Sequence, residues 1–269
     1  MKRILGCLLP ALAGAAVMWL LLSRSLALGL AGRGPAGSPP PGEEWTLTAG
    51  DGVLLRASAR EAGDNWVILL HGWGETGDSL TALGEEYLSR GWSVLIPDLR
   101  GCGGSGGPCR GLGTGDGPDV LAWMVRIRGE HPGAGILLHG RGLGANAALA
   151  AAGERPTGLI AVTAEDPIAS LGELGEACLP PGHALLEWGV SAMLRLYTGR
   201  DLPSLCVRRQ TAGTGVPILF LGGPVPAEAE SLYNCAGKGA RLLLTADPGE
   251  REAAAFAFLT GLSGSPQTP

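Results

Sequence analysis

Two glycine-flanked stretches carry the spacing that chemistry would need. Gly103-Gly104-Ser105-Gly106-Gly107 matches G-x-S-x-G, the pattern that exposes a serine hydroxyl as nucleophile on a tight strand-to-helix turn. Here the glycine run continues past Pro108, and no helical pattern starts before Gly117, so the turn is too loose for that role. Ser105 reads as a turn serine bonded to nearby backbone. The second stretch, Gly140-Arg141-Gly142-Leu143-Gly144-Ala145, follows an apolar run and opens a helix, and Glu165-Asp166 stands after the next strand. With that spacing a glycine turn holds a dinucleotide pyrophosphate at a helix N-terminus while an acid takes the ribose. The fingerprint belongs to the first βαβ unit of such folds, whereas several strands and helices precede Gly140, so dinucleotide binding through residues 140–145 is the weaker reading. His71, His131, His139 and His183 share no zinc-ligand spacing with any cysteine, and no metal or cofactor is implied.

These stretches sit in a regular frame. From Trp45 onward, short β-rich runs alternate with helical patterns, the signature of βαβ units and a mainly parallel sheet. A hairpin over 45–48 and 53–57 turns at Gly50-Asp51-Gly52. Residues 66–70 are continuously apolar, as expected of a strand buried on both faces. A helix over 79–90 stops at Gly91, and a strand follows at 93–97. Beyond the glycine-rich loop come a helix over 118–130, a strand over 135–139, an Ala-rich helix from Ala145 and a strand over 158–164. A less regular, partly helical excursion covers 168–200. Strands 217–221 and 240–245 and helices 227–236 and 250–262 then resume the alternation. The expected domain is 45–262 with a disordered tail at 263–269, a size that one α/β core accommodates.

The N-terminus is of another kind. After Lys2-Arg3 an uncharged, mostly apolar run extends over 4–22 and closes at Ser23-Arg24-Ser25. About nineteen residues at ~1.5 Å each just span a hydrocarbon core of about 30 Å. The early charges place the N-terminus in the cytoplasm and the domain outside it, although Arg24 weakens the asymmetry. Cleavage as a signal peptide at the small residues of 27–31, followed by secretion, is the competing reading; the length of the run favours an uncleaved single-pass anchor. Residues 1–25 then form the anchor and 26–44 a Gly/Pro/Ser-rich linker. A net charge of −5, with no basic cluster beyond the extreme N-terminus, excludes a nucleic-acid footprint. Five cysteines fall in the domain, Cys102, Cys109, Cys178, Cys206 and Cys235. A Cys102–Cys109 bridge would close the glycine-rich loop, but spacing alone does not establish it, and buried thiols are the expectation for most of the rest.

In family order, three segments resemble the α/β-hydrolase superfamily, in particular bacterial membrane-anchored members related to serine aminopeptidases and esterases. His71-Gly72-Trp73-Gly74 is similar to the His-Gly turn whose backbone N–H groups help form an oxyanion hole. Ile96-Pro97-Asp98-Leu99-Arg100-Gly101, with Gly104-Ser105-Gly106-Gly107, resembles the strand-end Asp-x-Arg-Gly-x-Gly-x-Ser loop. The strand-turn-helix over 136–148 sits where the nucleophile elbow belongs. The resemblance covers most of 45–262 and implies a doubly wound, mainly parallel sheet with helices on both faces. It also implies an oxyanion loop and pocket at His71, Gly72, Trp73, Arg141 and Leu143.

Departures from the family pattern decide the expected chemistry. Gly142 occupies the nucleophile position and has no side chain with which to form an acyl-enzyme. Where relatives carry Gly-x-x-Asp-x-x-Val-Pro after a late strand, this chain has the shorter Gly222-Gly223-Pro224-Val225-Pro226. The last strand is followed by Thr245-Ala246-Asp247-Pro248-Gly249-Glu250, and no histidine occurs after His183. Loss of all three roles leaves only binding and oxyanion-type stabilisation. The expectation is a hydrolase-like pseudoenzyme that binds an unknown small molecule or protein. The alternatives are an active hydrolase of small esters or peptides with Ser105 or Asp98 pressed into service, and the dinucleotide-binding reading above.

Overall fold

The computed structural model describes residues 2–173, 183–223 and 226–263. Helix α1 runs over Lys2–Ala31, and a hairpin of β1 (Glu43–Thr48) and β2 (Leu54–Arg60) opens the sheet. β3 (Trp66–Leu70), α2 (Thr81–Ser89), β4 (Ser93–Pro97), α3 (Gly117–Glu130), β5 (Ile136–Arg141), α4 (Leu143–Gly153) and β6 (Leu159–Glu165) then alternate as the apolar runs require. After the excursion come α5 (Ala184–Thr198), a short α6 (Arg208–Gly213) that the sequence pattern does not announce, β7 (Ile218–Gly222), α7 (Pro226–Cys235), β8 (Arg241–Leu244) and α8 (Pro248–Ser263).

The eight strands form one sheet in the order β1-β2-β4-β3-β5-β6-β7-β8, antiparallel at β1–β2 and β2–β4 and parallel from there on. Alternate residues of β3 feed opposite faces. Trp66, Ile68 and Leu70 pack with Trp123, Met124 and the alanines of α4, while Val67 and Leu69 pack with Tyr87 of α2 and Phe258 of α8. Because the chain leaves β3 first for β4 and later for β5 on its other side, the strand order reverses between β3 and β5. Their carboxyl ends therefore flank a crevice of the kind where open α/β sheets bind ligands.

A third apolar cluster lies over that crevice. Ala27 and Ala31 of α1 and Val190 and Leu194 of α5 pack with Leu112 and Leu143. Gly189 makes the helix pairing close: a Cβ there would stand 2.3 Å from Ser23 Oγ and 2.6 Å from Trp19 Cζ2. The Trp19 and Trp188 rings stack beside it, 5.6 Å apart and 12° from parallel. Beyond α1 the chain runs as a strap along the glycine-rich loop, with Gly34 N–H donating to Gly101 O, Gly103 N–H to Pro35 O, and Arg110 N–H to Ala31 O. Cys102 and Cys109 both carry free thiols, as do Cys206 and Cys235; Cys178 and the stretch 264–269 lie outside the described residues.

Candidate functional site

Gly142 is the single residue between β5 and α4, with φ 55° and ψ −119°, a conformation that L side chains adopt only under strain. Its two flanking glycines are there for another reason. A Cβ on Gly140 would lie 2.3 Å from Gly144 O, and one on Gly144 would lie 2.2 Å from Leu70 O. The strand and the helix after it approach too closely for side chains at either place. A Cβ on Gly142 would meet only Gly72 Cα, at 3.8 Å. The turn thus has the strained angles and the open space of a nucleophile elbow, with no side chain in that space.

Opposite the turn, His71 is 1% exposed. Its Nε2 accepts a hydrogen bond from Leu99 N–H at 3.0 Å, so the ring proton sits on Nδ1, which donates to Gly72 O at 3.0 Å. Burial pulls its pKa below the ordinary histidine value and keeps the ring neutral. The Gly72 N–H is taken by Glu75 Oε2 at 2.9 Å. Trp73 is exposed, donates its ring N–H to Leu30 O at 3.4 Å, and lies under the Arg110 guanidinium. Leu143 is buried beneath α1 and α5. His71, Gly72, Trp73 and Leu143 are thus brought together, around a cavity of only about 20 Å³. That volume suits about one water molecule and no ester substrate.

Ser105 lies elsewhere. It is 1% exposed, and its Oγ donates to Asp98 O at 2.6 Å while accepting from Arg56 N–H at 2.9 Å. Asp98 is equally committed, with Oδ1 accepting from Gly77 N–H and Oδ2 from Gly104 N–H. The loop is held by these bonds, and no histidine touches the serine.

Arg141 belongs to a buried network that sequence reasoning missed. Tyr87 O–H donates to His139 Nδ1 at 2.8 Å, His139 Nε2–H donates to Glu165 Oε1 at 2.9 Å, and Arg141 Nε donates to Glu165 Oε2 at 3.2 Å. Burial would raise the Glu165 carboxyl, but the His139 bond and the Arg141 charge overcome it and hold the group down at about 2. Burial keeps the Tyr87 phenol protonated. A carboxylate so engaged is not free to take a ribose, and Asp166, the other acid a dinucleotide site at residues 140–145 could use, is bonded to Gly223 N–H and Arg251. The only signal in the sequence was polar residues in strands otherwise apolar throughout. Asp116 was also missed. It is 2% exposed, with Oδ2 accepting from Gly113 N–H at 2.9 Å and Oδ1 without a partner, and burial pushes its pKa up to about 7.

The described residues contain no group of three His, Cys, Asp or Glu side chains able to hold a metal ion. Similarities to known proteins agree with this architecture. No curated protein matches the chain. Among solved structures, an esterase of Pyrococcus furiosus superposes with a TM-score of 0.68 at 21% identity, covering 87% of this chain and 98% of its own. A hydrolase of Pseudomonas aeruginosa gives 0.58 at 20% identity over 83% and 99% of the two chains. A monoacylglycerol lipase of Paleococcus ferrophilus gives 0.57 at 19% identity over 77% and 98%. At such identities the likeness is one of fold. A family model for the α/β-hydrolase fold matches residues 65–215, more than half of the chain. With that match laid over the strand order, the glycine elbow and the His-Gly turn, the chain belongs to the α/β-hydrolase fold family.

Proposed function

We propose that this chain is a membrane-anchored pseudoenzyme of serine-hydrolase ancestry, which uses its hydrolase fold to bind and does not turn substrate over. One observation carries the reading: the elbow turn keeps its strained backbone and the space for a side chain, yet Gly142 leaves that space empty. The crevice around it is shut by the end of α1 and by α5, and the nearest buried histidines, His71 and His139, are spent on Leu99, Gly72, Tyr87 and Glu165. The esterase and lipase likenesses support ancestry and leave the substrate open.

Membrane attachment through α1 fits the packing. The helix has 30 residues and so is about 45 Å long, longer than a hydrocarbon core. Ser23, Ala27 and Ala31 are fully buried against the domain, whereas Leu12, Val17, Met18, Leu20, Leu21 and Leu22 on the preceding turns of the apolar run 4–22 are exposed and left for lipid. Trp19, near the end of that run, lies at the depth where aromatic side chains favour the bilayer interface. Exposed Leu185 and Trp188 on the adjacent α5 continue the apolar surface.

The test uses the full chain in detergent micelles or nanodiscs, treated with a fluorophosphonate probe while short p-nitrophenyl esters are assayed in parallel. Silence in both supports the reading. Stoichiometric labelling, or turnover abolished by Ser105→Ala, overturns it in favour of a displaced nucleophile. Intact mass of the membrane-associated protein separates an uncleaved anchor from a processed, secreted form.

A further inference from the structure

The crevice is closed, but on the far side of Arg100 and Arg110 the molecule has an open cleft of about 520 Å³, within the range of small-molecule sites. It is bounded by the β1–β2 turn, the end of the glycine-rich loop, the start of α3 and the last turn of α5. Three guanidinium groups line it. Arg100 is paired with two carboxylates: its Nε and Nη2 donate to Asp119 and its Nη1 to Asp51, each at 2.7 Å. Arg110 has no carboxylate partner among the described residues; its Nη2 donates to Gly29 O, and its Nε is buried without an acceptor. Among the described residues the Arg200 guanidinium makes no hydrogen bond or ion pair, and it lies beside Gly115 at the cleft wall.

Two cations without an ion pair among the described residues thus line one cavity, in a chain whose net charge is −5. A low-dielectric cleft that focuses positive potential concentrates anions. The guanidinium fork matches the paired oxygens of a carboxylate or phosphate. Asp116, whose buried carboxyl feels the Arg200 charge, is hydrogen-bonded to Gly113 N–H and lines the closed crevice, and Asp201, next to Arg200, is paired with Arg195. A ligand oxyanion bridging Arg110 and Arg200 would take the terminal N–H groups that the Gly29 bond leaves over on Arg110. Tyr197 and Thr198 at the same wall offer further polar contacts.

We propose that this cleft binds a small oxyanion-bearing molecule, a carboxylate or a phosphate monoester, held between Arg110 and Arg200. The site supplies the ligand chemistry for the binding role above and rests on that reading, although its failure would leave the absence of turnover untouched.

The experiment titrates the full chain in nanodiscs at low salt with inorganic phosphate, with succinate, and with uncharged succinamide, reading heat and melting temperature. Saturable binding of phosphate or succinate with no response to succinamide is expected, and the stronger of the two anions assigns the ligand class. Arg200→Gln and Arg110→Gln should each weaken binding at least tenfold, while Arg209→Gln, exposed and outside the cleft, should leave it unchanged. Equal binding by the native chain and the Arg110→Gln/Arg200→Gln double variant, or no saturable binding of either anion, overturns the proposal. Arg200 is part-exposed and unpaired, so its variant is expected to fold, and the melting curve checks that directly.

Discussion

Arg251 Nη1 donates to Asp166 Oδ2 at 2.7 Å, and the Asp166 Oδ1 accepts from Gly223 N–H at 2.7 Å. Arg251 also donates from Nε to Thr245 O at 2.8 Å. One carboxylate and one guanidinium thereby join the segments that follow β6, β7 and β8 at the carboxyl edge of the sheet. In the family that the sequence resembles, the segments after the last two strands carry the catalytic acid and histidine. Here the corresponding edge is held by the Asp166–Arg251 ion pair.

The pair should therefore matter for stability and be silent for chemistry. The side chains are 13% and 30% exposed, so the charge-assisted bonds are worth about 1–3 kcal/mol, towards the lower end because of solvent screening. Arg251→Met and Asp166→Asn should each lower the urea midpoint. The double variant should lose less than the sum of the singles, the coupling that a direct contact produces. Additive losses would mean the two side chains do not support each other.

Gly142→Ser tests whether the elbow is vacant or blocked. The space admits a Cβ, so the variant should fold, losing about 1–3 kcal/mol to left-handed backbone strain. With no base beside it, the new serine should remain unreactive towards fluorophosphonate above background. Gly144→Ala, by contrast, drives a methyl group to 2.2 Å from Leu70 O and should be far more damaging, to the point of little folded protein. Similar stabilities for the two variants would contradict the assigned roles of the glycines.

Much of this was legible in the residues, and the failures have a common cause. The strand at Trp66–Leu70 and that at Ser93–Pro97 begin and end where their apolar runs do, because central strands are buried on both faces and tolerate little else. Helix α4 was harder. It begins at Leu143 rather than Ala145 because glycines at 142 and 144, which read as turn residues, are demanded by a strand-helix approach that only the third dimension reveals. Pro and Gly over 32–42 suggested a spacer, whereas hydrogen bonds from Gly34 and to Pro35 lay this segment along the glycine-rich loop. The Tyr87–His139–Glu165–Arg141 network draws on α2, β5 and β6, so no local spacing could announce it. The same holds for the cover of α1 on α5.

Two buried acids should give the stability curve opposing slopes. Glu165 is held at about 2, so its contribution is present above the unfolded value of 4.5 and is lost as pH falls towards 2. Glu165→Gln should flatten that acid limb. Asp116 runs the other way. Raised from 3.8 to about 7, it contributes stability fully present below 3.8 and lost as pH rises through 7. Asp116→Asn should therefore melt increasingly above the native chain between pH 5 and pH 8, by an amount on the order of a few kcal/mol at most. A constant difference across that range would show that Asp116 is ionised in the folded protein throughout.

The seal over the crevice depends on two helices meeting at Gly189, and a larger side chain there should open it. In Gly189→Val the branched side chain must displace Ser23 and Trp19, which forces α1 from α5 and unstacks Trp188. The strap after α1 covers Cys102, which is 3% exposed and whose thiol burial pushes up to about 11. Loosening α1 should transmit through the Ala31 to Arg110 and Gly34 to Gly101 hydrogen bonds and expose that thiol. At pH 8, Cys102 should react with a maleimide at least tenfold faster in Gly189→Val than in the native chain, with Cys102→Ser identifying its share of the labelling. Faster reaction with an unchanged melting transition would mean that the helix pair gates the crevice without holding the domain together. An unchanged rate would place the seal in the strap itself, independent of α5.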